Sequence, residues 1–214
     1  GVPERYGLQR LTTYTMSNEQ RYADFLFEVG TLRKVLRMHR QTLLTDDMSD
    51  NIATHSYRVA MIGWILAKRA GADPYKVVMM CLLHDMGEGR SNDHNWVHKR
   101  YIKVFDEEII KDQLDTLPDP ELGQLAHEYE ARESKEAIIA KDADLLDQVL
   151  LLREYEWQGN KEAVIWLRGK QGEVSDRNAQ LKKLRTEEAA QLGKAIIERA
   201  PSDWWNELWT SANR

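Results

Sequence analysis

The sequence predicts an all-α protein. Apolar residues recur at helical spacing along most of the chain, segment starts carry helix-capping residues, and the helix formers Leu, Ala, Glu, Lys, Arg and Gln outnumber the 12 Gly and 5 Pro. With 214 residues, 42% apolar and 30% charged, the chain is long enough to build a sizeable core without disulfide or metal staples. It reads as one domain over 1–214, with a core at about 17–158 and a C-terminal helical extension at about 159–214.

The elements follow in order. Ser17 with Gln20 three residues on is a capping-box signature, and Tyr22, Phe25, Leu26, Val29, Leu32, Val35 and Leu36 continue at helical spacing. One long amphipathic helix is therefore expected over "SNEQRYADFLFEVGTLRKVLRMHR". After "TDDMSDN", the segment "ATHSYRVAMIGWILAKRA" is apolar on most sides and stops at Gly71, so it reads as a central buried helix with His55 near its start. Asp73 and Pro74 supply an N-cap and a first helical residue for "ADPYKVVMMCLLHDM". Gly87 and Gly89 break that helix, placing His84 and Asp85 where a buried helix gives way to a loop. "SNDHNWVHKRYIKVF" reads as loop and short helix, "DEEIIKDQLDTL" as a helix, and Asp119 and Pro120 restart the pattern. From Ser134, "SKEAIIAKDADLLDQVLLLREYEWQ" is a long helix whose second half is apolar nearly all round.

Composition excludes some functions. Lys plus Arg is 30 against 35 for Asp plus Glu, a net charge of -5, so the molecule does not attract polyanions and a nucleic-acid polymer is not the expected partner. A small anionic substrate remains compatible if the site carries its own positive charge. The single cysteine, Cys81, lies in an aliphatic run and reads as a small buried hydrophobe in a reducing compartment. No stretch approaches a membrane span, "GVPERYGLQR" lacks the apolar core of a signal peptide, and the expected location is the cytoplasm.

His55, His84, Asp85 and a carboxylate at Asp142 or Asp144 stand where core logic would not put ionisable groups. A buried carboxylate needs a cation, and two imidazoles with two carboxylates suit a borderline divalent ion. Periodicity does not decide between Asp142 and Asp144. The order "THSYRVA", "LLHDMGE", "AKDADLLD" resembles the HD-domain metal-dependent phosphohydrolases, and over roughly residues 20 to 158 it looks most like their 5'-deoxynucleotidase branch. The resemblance implies a compact helical bundle holding one divalent metal ion (Mn, Co, Fe, Ni, Zn or Mg) on His55, His84, Asp85 and Asp144, with Asp142 as runner-up. It also implies that Glu88 and Asp93 manage protons and that Arg40 grips the phosphate, a planar fork that Lys cannot mimic.

The basic run after Asp93, with His94, His98, Lys99, Arg100 and Lys103, supplies local positive charge, and His94, His98, Lys99 and Arg100 are candidate substrate-binding residues. His39 and His127 read as structural. Thr54 stands where the family often has an acid, Gln41 where the branch often has Trp, and "HNWVHKRY" departs from the branch pattern. The expected reaction, by resemblance, converts a deoxyribonucleoside 5'-monophosphate to deoxynucleoside and phosphate. A nucleoside triphosphate triphosphohydrolase and a non-catalytic nucleotide-sensing module are the alternatives. A homodimer is expected on resemblance, and Trp204, Trp205 and Trp209 are expected to pack on the protein's own core.

Overall fold

The computed structural model describes residues 16–170 and 180–213. The first helix, α1 (Asn18–Thr31), begins on the expected capping box: Ser17 Oγ accepts from the Gln20 N–H, and the Gln20 side chain accepts from the Ser17 N–H. It does not run on to residue 40. A 3-10 turn at Leu32–Lys34 ends it, and Val35 turns extended. The chain then pairs with the segment ahead of the next long helix, Ile52 donating to the Val35 carbonyl at 2.9 Å and Arg37 to the Asp50 carbonyl at 2.9 Å. Side chains alternate in extended backbone, and this short pairing buries Arg37 at 6% exposure. Hydrophobic spacing survives through Leu36, which is why the break is invisible to periodicity. A single turn, α2 (His39–Thr42), follows.

The core is built on three helices. α3 (Ile52–Ala70) is capped by Asn51, whose side chain accepts from Thr54, and ends at Gly71 in the left-handed region at φ 65°. α4 (Pro74–Leu83) starts on Asp73, which accepts from Tyr75 and Lys76, with Pro74 at the first position. A single turn, α5 (Glu88–Ser91), follows the break after His84. α6 (Asp106–Gln113) and α7 (Glu121–Ala131) lead to α8 (Lys135–Trp157), capped by Ser134. α3, α4 and α8 pack on one another around Val59, Ile62, Leu66, Met80, Ile139 and Leu146, all buried. α9 (Lys161–Arg168), α10 (Gln180–Lys183) and α11 (Glu187–Glu198) pack against α8. No helix among the described residues is long and apolar enough to cross a membrane.

α3 is central but not buried all round. Its outer stripe of Tyr57, Met61, Trp64 and Ile65 is exposed. Trp204, Trp205 and Trp209, expected to pack inward, are 72%, 48% and 61% exposed, on a 3-10 helix (Asp203–Leu208) and the residue after it. The helix contact between α3 and α4 is closed by Gly63, where an added Cβ would stand 2.6 Å from Cys81 Sγ and 3.0 Å from Val77 Cγ1. Both neighbours are fully buried, so Gly63→Ala is expected to cost about 1–3 kcal/mol through overpacking. Chemical denaturation reads that loss; unchanged stability would show that the contact accommodates a methyl group.

Candidate active site

Each ligand candidate is delivered by a different part of the bundle. His55 sits in the first turns of α3, His84 caps the C-terminus of α4, Asp85 follows it in the turn, and Asp144 faces inward from the middle of α8. His55 Nε2 and His84 Nε2 are 3.1 Å apart. Asp85 Oδ2 lies 3.3 Å from the first and 3.1 Å from the second, while Asp144 Oδ1 lies 3.3 Å and 3.6 Å from them. His55, His84 and Asp144 offer ligand atoms that all lie within 4.8 Å of one another.

The other ring nitrogens show what this cluster requires. His84 Nδ1 is 2.8 Å from the Cys81 carbonyl, which can only accept, so Nδ1 carries the proton. His55 Nδ1 is 2.6 Å from Asp147 Oδ2 and donates to it. In the neutral rings both Nε2 lone pairs therefore face each other and two carboxylates. Without a cation this arrangement is repulsive. Donor atoms about 2.1 Å from a shared ion stand roughly 3.0–3.4 Å apart across a coordination edge, close to the separations observed. The residues present fit a divalent metal ion.

The same demand for positive charge appears in the proton equilibria. Burial opposes charging His84, yet Asp85 and Asp144 outweigh it and push its pKa up to about 9. His55 is raised as well: burial and Arg37 work against the charge, but Asp144, Asp147 and Asp85 prevail. Asp144 is held low because Lys141 and the two histidines overcome burial. Lys141 Nζ takes Asp144 Oδ2 at 2.6 Å and leaves Oδ1 to the cluster. Glu88 goes the other way; burial, then the charges of Asp85 and Asp93, raise it to about 9.

A pH prediction follows for the metal-free protein. His84 has a folded pKa near 9 against 6.5, so its contribution to stability is present in full below about pH 6.5 and lost as pH rises through 9. Glu88, also raised, has the same sign over this window, whereas Asp144, lowered, is already ionised. Melting temperature in EDTA should fall between pH 6.5 and 9, and added divalent ion, replacing protons on the imidazoles, should bind more tightly as pH rises. A flat metal-free profile contradicts this charge balance.

The carboxylate choice left open by periodicity has a structural answer. Asp142 is 1% exposed and turned away: its oxygens accept from the N–H groups of Arg185 and Thr186 and from the Thr186 hydroxyl, tying α8 to the start of α11. The phosphate-gripping arginine was expected at Arg40. It is Arg37 that the structure brings to the cluster, with Nε 3.9 Å from Asp93 Oδ2 and its charge reinforced against burial by Asp85, Asp144, Asp93 and Asp50. Arg37 Nε has no hydrogen-bond partner among the described residues. Arg40, half-buried, donates its backbone N–H to the Arg37 carbonyl and its charge acts on Asp47 instead.

Asp93 accepts from the Met38 N–H beside Arg37. Glu88 Oε2 is buried without a partner among the described residues. His94 and Lys99 line a cavity of about 470 Å³ together with His39, Trp96, Trp166 and Lys183. His98 packs edge-on against His94 at 5.8 Å, and Arg100 is exposed and lines none of the described cavities.

Sequence reasoning missed Asp147, which holds His55 Nδ1 while itself accepting from Arg58. Its signal was present: Asp147 is three residues after Asp144, and Arg58 three after His55, each on the same helix face. Histidine ligands are oriented by such partners.

The HD domain family model matches residues 29–185. The chain belongs to the HD domain family. Among curated relatives it is 29% identical over 156 residues to the 5'-deoxynucleotidase HDDC2 of Dictyostelium discoideum, covering 67% of this chain and 80% of the relative. It is 31% identical over 146 residues to the protein of that name from Bos taurus, covering 64% and 69%. A conserved hypothetical protein from Pyrococcus furiosus superposes with a TM-score of 0.65 at 27% identity, covering 82% of this chain and 97% of that one. The fold is also shared, at 23% identity and a TM-score of 0.61, with a predicted metal-dependent phosphohydrolase from Magnetospirillum magnetotacticum, over 88% and 95% of the two chains.

Proposed function

We propose that this HD domain protein is a divalent-metal-dependent phosphohydrolase, and that its substrate is a deoxyribonucleoside 5'-monophosphate. The observation that carries the reading is the pair of inward-turned imidazole lone pairs flanked by two carboxylates, with a buried guanidinium beside them. One metal ion would be held by His55, His84, Asp85 and Asp144. When bound, such an ion supplies a Lewis acid for the phosphoryl oxygens and a hydrolytic nucleophile at neutral pH.

The chain's own residues do the rest. Arg37, held beside the cluster by burial and by Asp93, supplies the positive charge that draws the phosphate. Glu88, kept protonated by burial and by its acidic neighbours, gives its proton to the 5'-oxygen as the phosphorus–oxygen bond breaks, so the deoxynucleoside leaves neutral. Asp147 and Arg58 hold His55 in the tautomer that keeps Nε2 free. The two relatives named 5'-deoxynucleotidase support the monophosphate as substrate.

A panel of nucleotides with added Mn, Co, Zn or Mg, assayed separately for phosphate, pyrophosphate and tripolyphosphate, tests the reading. Phosphate from deoxyribonucleoside monophosphates is the expected product. Tripolyphosphate from triphosphates would assign a triphosphohydrolase instead, and binding without release a sensing module.

We further propose that the chain is a single domain, which the packing of α9, α10 and α11 on α8 supports, and that it works in the cytoplasm, with which the free buried Cys81 agrees. The reading also includes a homodimer. The support is the outer stripe of α3, where Tyr57, Met61, Trp64 and Ile65 stand 69%, 50%, 47% and 40% exposed on one helix face. Light scattering should give twice the 24.9 kDa chain mass, and Trp64→Glu should return the monomer. A monomeric wild type overturns the assignment.

A further inference from the structure

The cavity beside the cluster has a chemistry of its own. Gln148, one turn beyond Asp144 on α8 and so about 6 Å along the helix, forms part of its wall with Trp96, Trp166 and Lys183. Its volume of about 470 Å³ falls in the range of about 300–1,000 Å³ typical of small-molecule sites. Arg37 joins it to the catalytic groups, approaching Asp93 on one side and His39 on the other.

The wall combines lysine donors with the amides of Asn95, Gln148 and Gln180 and the rings of His39 and His94. Arg37, which can only donate, stands 3.2 Å from His39 Nε2, and the Gln148 amide nitrogen stands 3.3 Å from the same atom. Gln148 Oε1 accepts from Gln180 Nε2 at 2.9 Å. His39 Nε2 is thus an acceptor and Nδ1 carries the proton. That Nδ1–H is fully buried with no partner among the described residues, so the donors within a ligand's reach are the exposed Lys99 and Lys183, and no acidic side chain lines the cavity among the described residues. Trp166 forms a buried wall edge-on to His39 at 5.9 Å, while Trp96 is 56% exposed and offers a ring at the mouth.

We propose that this cavity is the nucleobase subsite, and that it selects bases presenting keto oxygens, guanine, thymine or uracil, over adenine. The proposal rests on the nucleotide phosphohydrolase reading above. A flat aromatic ligand suits the two indoles, and a donor-rich wall needs acceptors opposite it; guanine O6 and thymine O4 provide them where adenine presents an amino donor. One helical turn between Asp144 and Gln148 leaves room for a sugar between the phosphate and the base.

Calorimetry on the intact protein without divalent ions, so that nothing turns over, tests this directly. The ligands are dTMP, dGMP, dAMP and deoxyribose 5-phosphate. We expect dTMP and dGMP to bind at least about tenfold more tightly than deoxyribose 5-phosphate and than dAMP. Trp96→Ala and Lys183→Met should each erode that margin while leaving deoxyribose 5-phosphate unchanged. Equal affinities for all four ligands, or a margin that survives both substitutions, overturn the proposal. So does competition by inorganic pyrophosphate that is lost in Lys183→Met, because the cavity would then be a phosphate site. Phosphate release with metal added is the separate readout of the parent reading. Selective binding without release refutes the hydrolase and leaves the subsite standing; release without selectivity refutes the subsite alone.

Discussion

Replacing Asp85 by alanine is expected to lower metal-dependent phosphate release by about a thousandfold or more, with the helical bundle intact. The effect is large because the carboxylate would do two things at once. Its Oδ2 lies 3.3 Å and 3.1 Å from the two imidazole nitrogens, so in the proposed site it would offer a ligand atom and its charge would offset that of the ion. A catalytic metal supplies several kcal/mol of charge stabilisation in the transition state, and each 1.36 kcal/mol is roughly tenfold in rate. The fold survives because Asp85 lies beyond the end of α4, outside the helix hydrogen bonds. Circular dichroism alongside the assay separates the two effects. Full activity in a folded Asp85→Ala protein would remove Asp85 from the ligand set.

Arg37→Ala is expected to damage both stability and turnover. Arg37 is 6% exposed and its guanidinium lies in the field of Asp85, Asp144, Asp93 and Asp50. Removing one partner of a buried charge network costs about 3–5 kcal/mol, because the remaining charges are left uncompensated. Loss of a charge-assisted bond to phosphate, roughly 1.5–3 kcal/mol, adds about a ten- to hundredfold fall in kcat/KM. Arg40→Ala is the control. Arg40 is half-buried and its charge is felt at Asp47; its removal should change stability by less than about 0.5 kcal/mol and leave KM unaltered. If Arg40→Ala raises KM and Arg37→Ala does not, the phosphate lies on the other side of this segment.

These two arginines show where sequence reading reached its limit. The histidines and Asp85 were readable because local order is enough: a helix start for His55 and a helix end for His84 and Asp85, at unusual places for ionisable groups. The approach of Arg37 to the cluster was not, because hydrophobic spacing carries on through Leu36 although the backbone leaves the helix after Thr31. The pairing of Val35 and Arg37 with Ile52 and Asp50 that redirects it is a contact across the chain, with no local signature. Asp142 and Asp144 are two residues apart and so about 200° around the helix. Periodicity says that they face opposite ways, but which faces the histidine cluster depends on where α11 packs, and Asp142 proves to cap that junction. The cavity beside Gln148 draws on His39, the 94–99 loop, α8, α9 and α10, and no run of sequence contains it.

The central claim is that four side chains from three helices and a turn hold one divalent ion, and crystallography on protein soaked with manganese or cobalt tests it most directly. The account predicts one strong anomalous peak bonded to His55 Nε2, His84 Nε2, Asp85 and Asp144, with Asp147 hydrogen-bonded to His55 behind it. A peak held by other residues, or none at saturating ion with the imidazoles bonded only to protein groups, would contradict it.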